Sequence, residues 1–131
     1  MRVVSVDGWA KARVVASDSV WGRSRNFFSG WGKGETLIVL VSHEGVVIGT
    51  VSGVAHRSNL MIWENDLFEW RIPLEPVRAL EGEIGRTVNA AIRQILFERY
   101  HHNYGYVLLN QVRLDSGSEE ALEGLLKNVR A

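Results

Sequence analysis

The hydrophobic pattern changes period twice along this chain of 131 residues. Thr36 to Ser42 (Thr-Leu-Ile-Val-Leu-Val-Ser) and Val46 to Val54 are almost wholly apolar, with His43-Glu44-Gly45 between them. Short β-branched runs on either side of three turn residues predict a β-hairpin, with Gly45 taking the positive φ of the last turn position. The first arm is apolar at successive positions, so it is expected to be a central strand covered on both faces. Gly49 and Gly53 in the second arm point to a bulge or sharp curvature. Phe68 to Pro76 alternates instead, with Phe68, Trp70, Ile72 and Leu74 on one face and Glu69, Arg71, Pro73 and Glu75 on the other. That is the pattern of a half-buried strand, and Pro73 places it at an edge or a bulge. From Ile84 the spacing turns helical through Val88, Ala91, Ile92, Ile95 and Leu96, which predicts an amphipathic helix over 84–99 packed on the sheet.

The segments around these are shorter. Arg2 to Val6 reads as a strand, and Asp7-Gly8 as the start of a short helix that buries Trp9 and is broken by Ser17-Asp18-Ser19. Val20-Trp21 is a brief extended piece leading into a loop in which Phe27 and Phe28 fold inward and Gly30, Gly32 and Gly34 mark a turn. His56 to Asp66 is a long loop carrying Trp63, and Tyr100 to Tyr106 an aromatic loop. Val107 to Leu114 is a short strand or an extended tail. Ser116-Gly-Ser-Glu119 reads as a capping box that opens a last helix with Leu122, Leu125, Leu126 and Val129 on its apolar stripe.

Composition narrows the function classes. The length suits one domain, residues 1–131, that buries a core without staples. The absence of cysteine excludes disulfides, thiolate metal sites and cysteine nucleophiles. The longest apolar run, Leu37 to Val41, is far short of the roughly 20 residues of a membrane span. The opening Met-Arg-Val-Val-Ser-Val-Asp lacks the shape of a signal peptide, so a cytoplasmic protein without a membrane partner is expected. Zero net charge argues against coating nucleic acid by charge alone. The charges are nevertheless uneven: residues 19–34 hold Arg23, Arg25 and Lys33 and no acid.

Catalytic and metal chemistry find little support. His43 lies in a hairpin turn, adjacent His101 and His102 cannot chelate from one helix face, and no metal-ligand or nucleophile-elbow motif is present. The glycines of Gly30-Trp-Gly-Lys-Gly34 lack the pattern of a phosphate-binding loop. No catalytic residue, metal or cofactor is therefore expected. A binding pocket is easier to build. Trp21 lies in Val20-Trp-Gly-Arg-Ser-Arg-Asn26, among groups that hold a phosphate or a base edge, whereas core tryptophans usually sit in apolar runs. Trp21 and Trp63 lie in polar segments flanking the hairpin and can sandwich a flat ring, with stacking worth about 1–3 kcal/mol per base.

The order of these parts resembles the EVE domains of the PUA-like superfamily, relatives of the YTH readers of N6-methyladenine and of the ASCH domains. The resembling segments are Val3-Val-Ser-Val-Asp-Gly-Trp9, Val20-Trp21-Gly22 with Arg25-Asn26, Gly32-Lys-Gly-Glu-Thr-Leu-Ile-Val-Leu-Val41, Val47-Ile-Gly-Thr-Val51, Phe68-Glu-Trp-Arg-Ile-Pro-Leu-Glu-Pro76 and the tail from Leu114 to Leu126. The resemblance implies an α+β fold: a curved five- or six-stranded β-barrel with flanking helices and a base-sized pocket at one end. It also implies that Trp21 and Trp63 are the walls of an aromatic cage and that Ser5 and Asp7 meet the polar edge of a flipped base. Asn26 would join them, Arg23, Arg25 and Lys33 would hold phosphates, and Tyr104 and Tyr106 would form a further wall. Glu35 stands where the family pattern has aspartate, Gly22 where YTH readers have a small hydroxyl residue, and Asp7 where they favour an amide. A carboxylate accepts from an exocyclic amine, so N6-methyladenine and 5-modified cytosine both stay open as the base, on DNA or RNA. The alternatives are a PUA-like domain that binds RNA irrespective of modification or docks a protein, and an ASCH-like nucleotide enzyme. The last needs a carboxylate or lysine pointing into the pocket, with Asp7 as the candidate.

Overall fold

In a computed structural model, which describes residues 1–129, the chain begins with β1 (Arg2–Val6), α1 (Trp9–Asp18), β2 (Val20–Arg23) and β3 (Thr36–Val41). It continues with β4 (Gly45–Val51), the two-residue β5 (His56–Arg57), β6 (Trp70–Leu80) and α2 (Gly82–Tyr100). A 3-10 turn (His101–Asn103), α3 (Tyr104–Asn110) and α4 (Ser116–Lys127) complete it. The sheet order is β1-β3-β4-β6-β2, with β5 also on β6. β1 runs parallel to β3 and the other pairs are antiparallel. The architecture is α+β, a curled half-barrel of mixed sheet with flanking helices, consistent with a PUA-like curved barrel. No helix among the described residues is long and apolar enough to cross a membrane.

Strand alternation splits the apolar residues between two cores. Val3, Ile38, Leu40 and Val46 point to the side covered by Val88, Ile92 and Leu96 of α2, Val107 of α3 and Leu122 of α4. Val4, Leu37, Val39, Val41, Val47 and Val51 point the other way, onto Ala12 and Val15 of α1 and the indoles of Trp21 and Trp63. This is why β3 is apolar at every position from Leu37 to Val41. The curl comes from β6. Its first residues pair with β2, from Arg23 opposite Trp70 to Val20 opposite Pro73. Its remainder pairs with β4, with a register shift between Gly49 and Val51. The bulge anticipated from Gly49 is therefore there, and a Cβ on Gly49 would sit 3.1 Å from a Leu74 methyl. Pro73 is not on an edge strand. It faces Val20 just before β6 shifts register, and its carbonyl accepts from the Ser52 N–H at 3.0 Å.

Several local expectations fail for tertiary reasons. The left-handed residue at the β3–β4 turn is Ser42 (φ 49°), not Gly45. Gly45 is small because the Trp9 indole lies against it, where a Cβ would approach to 2.3 Å. The turn is clamped from α2 by the buried Asn89, whose amide donates to the carbonyls of Ser42 (2.9 Å) and Gly45 (2.8 Å). Tyr100 ends α2, and residues 101–110 form the 3-10 turn and α3, whose Val107 and Leu108 are buried, in place of the expected loop and the start of a strand; residues 111–114 form no strand. Ile84 lies off the buried stripe of α2 and is exposed, as is Phe27, while Phe28 is buried. The cap of α4 is Asp115, one residue earlier than the expected box, accepting from the Ser118 N–H at 2.8 Å. Glu119 instead faces the chain's amino group at 3.4 Å.

Candidate functional site

The chain passes from β1 to α1 through Asp7-Gly8, and α1 then packs on β2 and β6. That packing sets the Lys11 side chain at the meeting point of two clefts. One, of about 340 Å³, is lined by Ser5, Asp7, Gly8 and Lys11. The other, of about 470 Å³, is lined by Lys11, Val14, Trp63 and Asp66. Ala10, Lys11 and Phe68 belong to both.

Lys11 does not point to solvent. Its Nζ lies 4.2 Å from the centroid of the Trp21 ring and 3.7 Å from that of Phe68. It donates to the Gly22 carbonyl at 3.3 Å. Among the described residues no carboxylate forms an ion pair with it. Two aromatic faces and one carbonyl oxygen are thus what holds the ammonium, an arrangement in which ring quadrupoles stand in for a counter-ion. Burial lowers its pKa from 10.5 to about 8, with Asp66 opposing the shift and Arg23 adding to it.

The walls are tightly built. Trp21 and Trp63 are both buried, so neither indole stands free in solvent. The Trp21 N–H donates to Gln111 Oε1 at 3.3 Å, and the Trp63 N–H to the Lys11 carbonyl at 3.2 Å. Trp63 meets Phe68 edge-to-face, with centroids 5.3 Å apart. Its six-membered ring lies on Gly22, where a Cβ would approach to 2.5 Å. Glycine follows Trp21 because the second indole occupies the space a side chain would need.

The loop that carries Trp63 is held by Arg71. This guanidinium is 3% exposed, so it must find its partners inside the protein. It donates to the carbonyls of Phe68 (3.2 Å), Leu67 (3.1 Å) and Leu60, and to Ser58 Oγ (3.1 Å). It also lies over the Trp63 ring, 5.3 Å from its centroid.

The expected site residues are only partly brought together. Trp21, Trp63, Ser5 and Asp7 surround Lys11, with Ser5 and Asp7 exposed at the lip of the smaller cleft. Arg23 is near enough for its charge to act on Lys11. It donates to the Phe27 carbonyl at 3.4 Å and lies over the Phe27 ring. Burial and the charge of Arg2 hold its pKa below the ordinary value. Arg25 and Asn26 are exposed in the following loop and line neither cleft. Lys33 lines a different cleft, beside Met1, Glu35, Arg113 and Glu119. There Glu35 faces the Arg2 Nε at 2.9 Å, a contact of charges in a geometry that makes no hydrogen bond. Tyr104 packs on the helical core and accepts from Arg93 at 2.7 Å, and Tyr106 lines a cleft with Tyr100 and Val112. Neither tyrosine lines the clefts around Lys11.

Lys11, Phe68 and Arg71 were not legible as site residues. Lys11 sits between alanines on a short helix, Phe68 reads as a strand residue, and Arg71 alternates like a solvent-facing charge. Among the described residues no group of three His, Cys, Asp or Glu side chains is placed to hold a metal. No family model matches the chain, and no curated protein matches it. The fold and site together define a curled mixed-sheet domain with an aromatic cleft filled by its own lysine.

Proposed function

We propose that the chain is a nucleic-acid-binding module that holds one modified base in the cleft around Lys11. The observation that carries this reading is the Lys11 ammonium held over the Trp21 and Phe68 rings, with Phe68 itself lining two clefts, one of which has a polar lip at Ser5 and Asp7. A flat ring stacks on such faces, and Ser5 and Asp7 meet its polar edge. Arg23 supplies positive charge for a neighbouring phosphate, in keeping with the division between phosphate contacts that position and base contacts that specify.

The test is a fluorescence titration with short single-stranded DNA and RNA. Matched oligonucleotides carry adenine or cytosine, unmodified or methylated at different positions, at about 50 mM and about 200 mM salt. Quenching that favours a methylated member and survives the higher salt supports the reading. Equal, salt-sensitive responses replace it with a modification-blind nucleic-acid binder, and no response overturns it. Asp7→Ala and Ser5→Ala are the informative variants, because both side chains are exposed and their loss spares the core. Trp21→Ala is not, since removing a buried tryptophan costs about 3–5 kcal/mol of stability by itself.

A second reading, an enzyme acting on nucleotides, gains a specific candidate in Lys11. A half-buried lysine whose pKa is lowered to about 8 is a usable base or nucleophile near neutral pH. Turnover of a modified nucleoside that Lys11→Met abolishes would favour this reading.

A further inference from the structure

Resting on the base-binding reading, we infer that the space between the Trp21 and Phe68 faces is a cation site, and that the base it takes carries a positive charge at neutral pH from methylation on a ring nitrogen. In this structure the Lys11 ammonium occupies that space.

Every group that touches the ammonium presents negative potential: the Trp21 face, the Phe68 face and the Gly22 carbonyl. Asp66 lines the larger cleft and adds attraction for a cation, while Asp7 lines the smaller one. Arg23 is the opposing charge. A neutral ring entering here would displace a cation from two π faces and bring no charge to replace it. A base methylated on a ring nitrogen keeps the cation–π attraction and adds stacking area over both faces.

Lys11 is also a poor permanent occupant. An ammonium is a compact, strongly hydrated charge, and burying it costs more than burying a delocalised, weakly hydrated one. Its lowered pKa is the signature of that cost. No carboxylate among the described residues locks it in place. Its flexible stem lines both clefts, so it can withdraw along either when a better cation arrives.

The experiment compares two isomers. Short single-stranded RNAs carrying 1-methyladenine, which is cationic near neutral pH, or N6-methyladenine, which is neutral, are titrated against the wild-type chain and against Lys11→Met, with unmodified adenine as the reference. The expected result is about tenfold tighter binding of the 1-methyladenine RNA than of its isomer. That preference should survive higher salt, and binding should tighten further in Lys11→Met because the internal competitor is gone. Phe68→Leu, which removes one face, should lose most of the preference and gives an independent readout. Equal or tighter binding of the N6-methyladenine RNA by the wild-type chain overturns the inference and leaves the base-binding reading standing. Binding of none of the RNAs by either chain removes that reading and the inference with it.

Discussion

Lys11→Met is expected to stabilise the protein near neutral pH. Burial that lowers the lysine's pKa from 10.5 to about 8 opposes its charged form by on the order of 3 kcal/mol. The shift is the balance of burial against what holds the ammonium, the Asp66 charge included, so this is the net cost left in the native state. Methionine keeps the length of the side chain, fills the same gap and makes favourable sulfur–aromatic contacts. The urea midpoint of Lys11→Met should therefore rise without a change in slope. The pH dependence separates this cause from simple repacking. The unfolded chain keeps its lysine proton up to about pH 10.5, whereas the folded chain releases it near 8. Between those values the unfolded state binds more protons, so wild-type stability rises with pH across that window. The advantage of Lys11→Met should be greatest below pH 8 and should shrink towards zero by about pH 10.5. A variant less stable than wild type at pH 7, or an advantage that does not change with pH, would refute the reasoning.

Gly22→Ala places a methyl 2.5 Å from the Trp63 ring and should cost about 1–3 kcal/mol, with a red shift in tryptophan emission as the indole is pushed outward. Arg71→Ala should raise amide exchange across residues 58–68 and cost about 2–3 kcal/mol. Arg71→Lys should not restore protection, because one ammonium cannot replace a guanidinium fork spread over several carbonyls; protection unchanged in Arg71→Ala would show that the loop holds itself. Asp115→Ala should cost about 1 kcal/mol through loss of the α4 cap. The Ser118 N–H and then the Tyr100 hydroxyl hold the Asp115 carboxyl at about 2, below its ordinary 3.8. This contribution is present above pH 3.8 and is lost as the pH falls through 2. Acid titration of both chains should show the gap between them closing there.

The elements that the sequence determined by itself are those in which periodicity and burial coincide. The β3–β4 hairpin, the alternating start of β6 and the stripe of α2 each bury a face set by local spacing, and spacing is visible in one dimension. The curl at Gly49 was legible for the same reason, because a glycine in a strand marks a place where the backbone must bend or be approached. Where a residue's state depends on a partner far along the chain, local pattern is silent or misleading. Trp21 lies in a polar, basic stretch, yet its indole is buried in the core that α1 shares with strands that arrive later, with Gln111 taking its N–H. Residues 104–110 carry no clear helical stripe, and α3 packs against β1, from the other end of the chain. Lys11 is the sharpest case. Its neighbours in sequence do not say that its ammonium leaves solvent for two aromatic rings, because Phe68 comes from the loop before β6, 57 positions away in the sequence. Tertiary structure decided it: α1 packs on β2 and β6, and the faces of Trp21 and Phe68 take the charge at the end of the lysine stem.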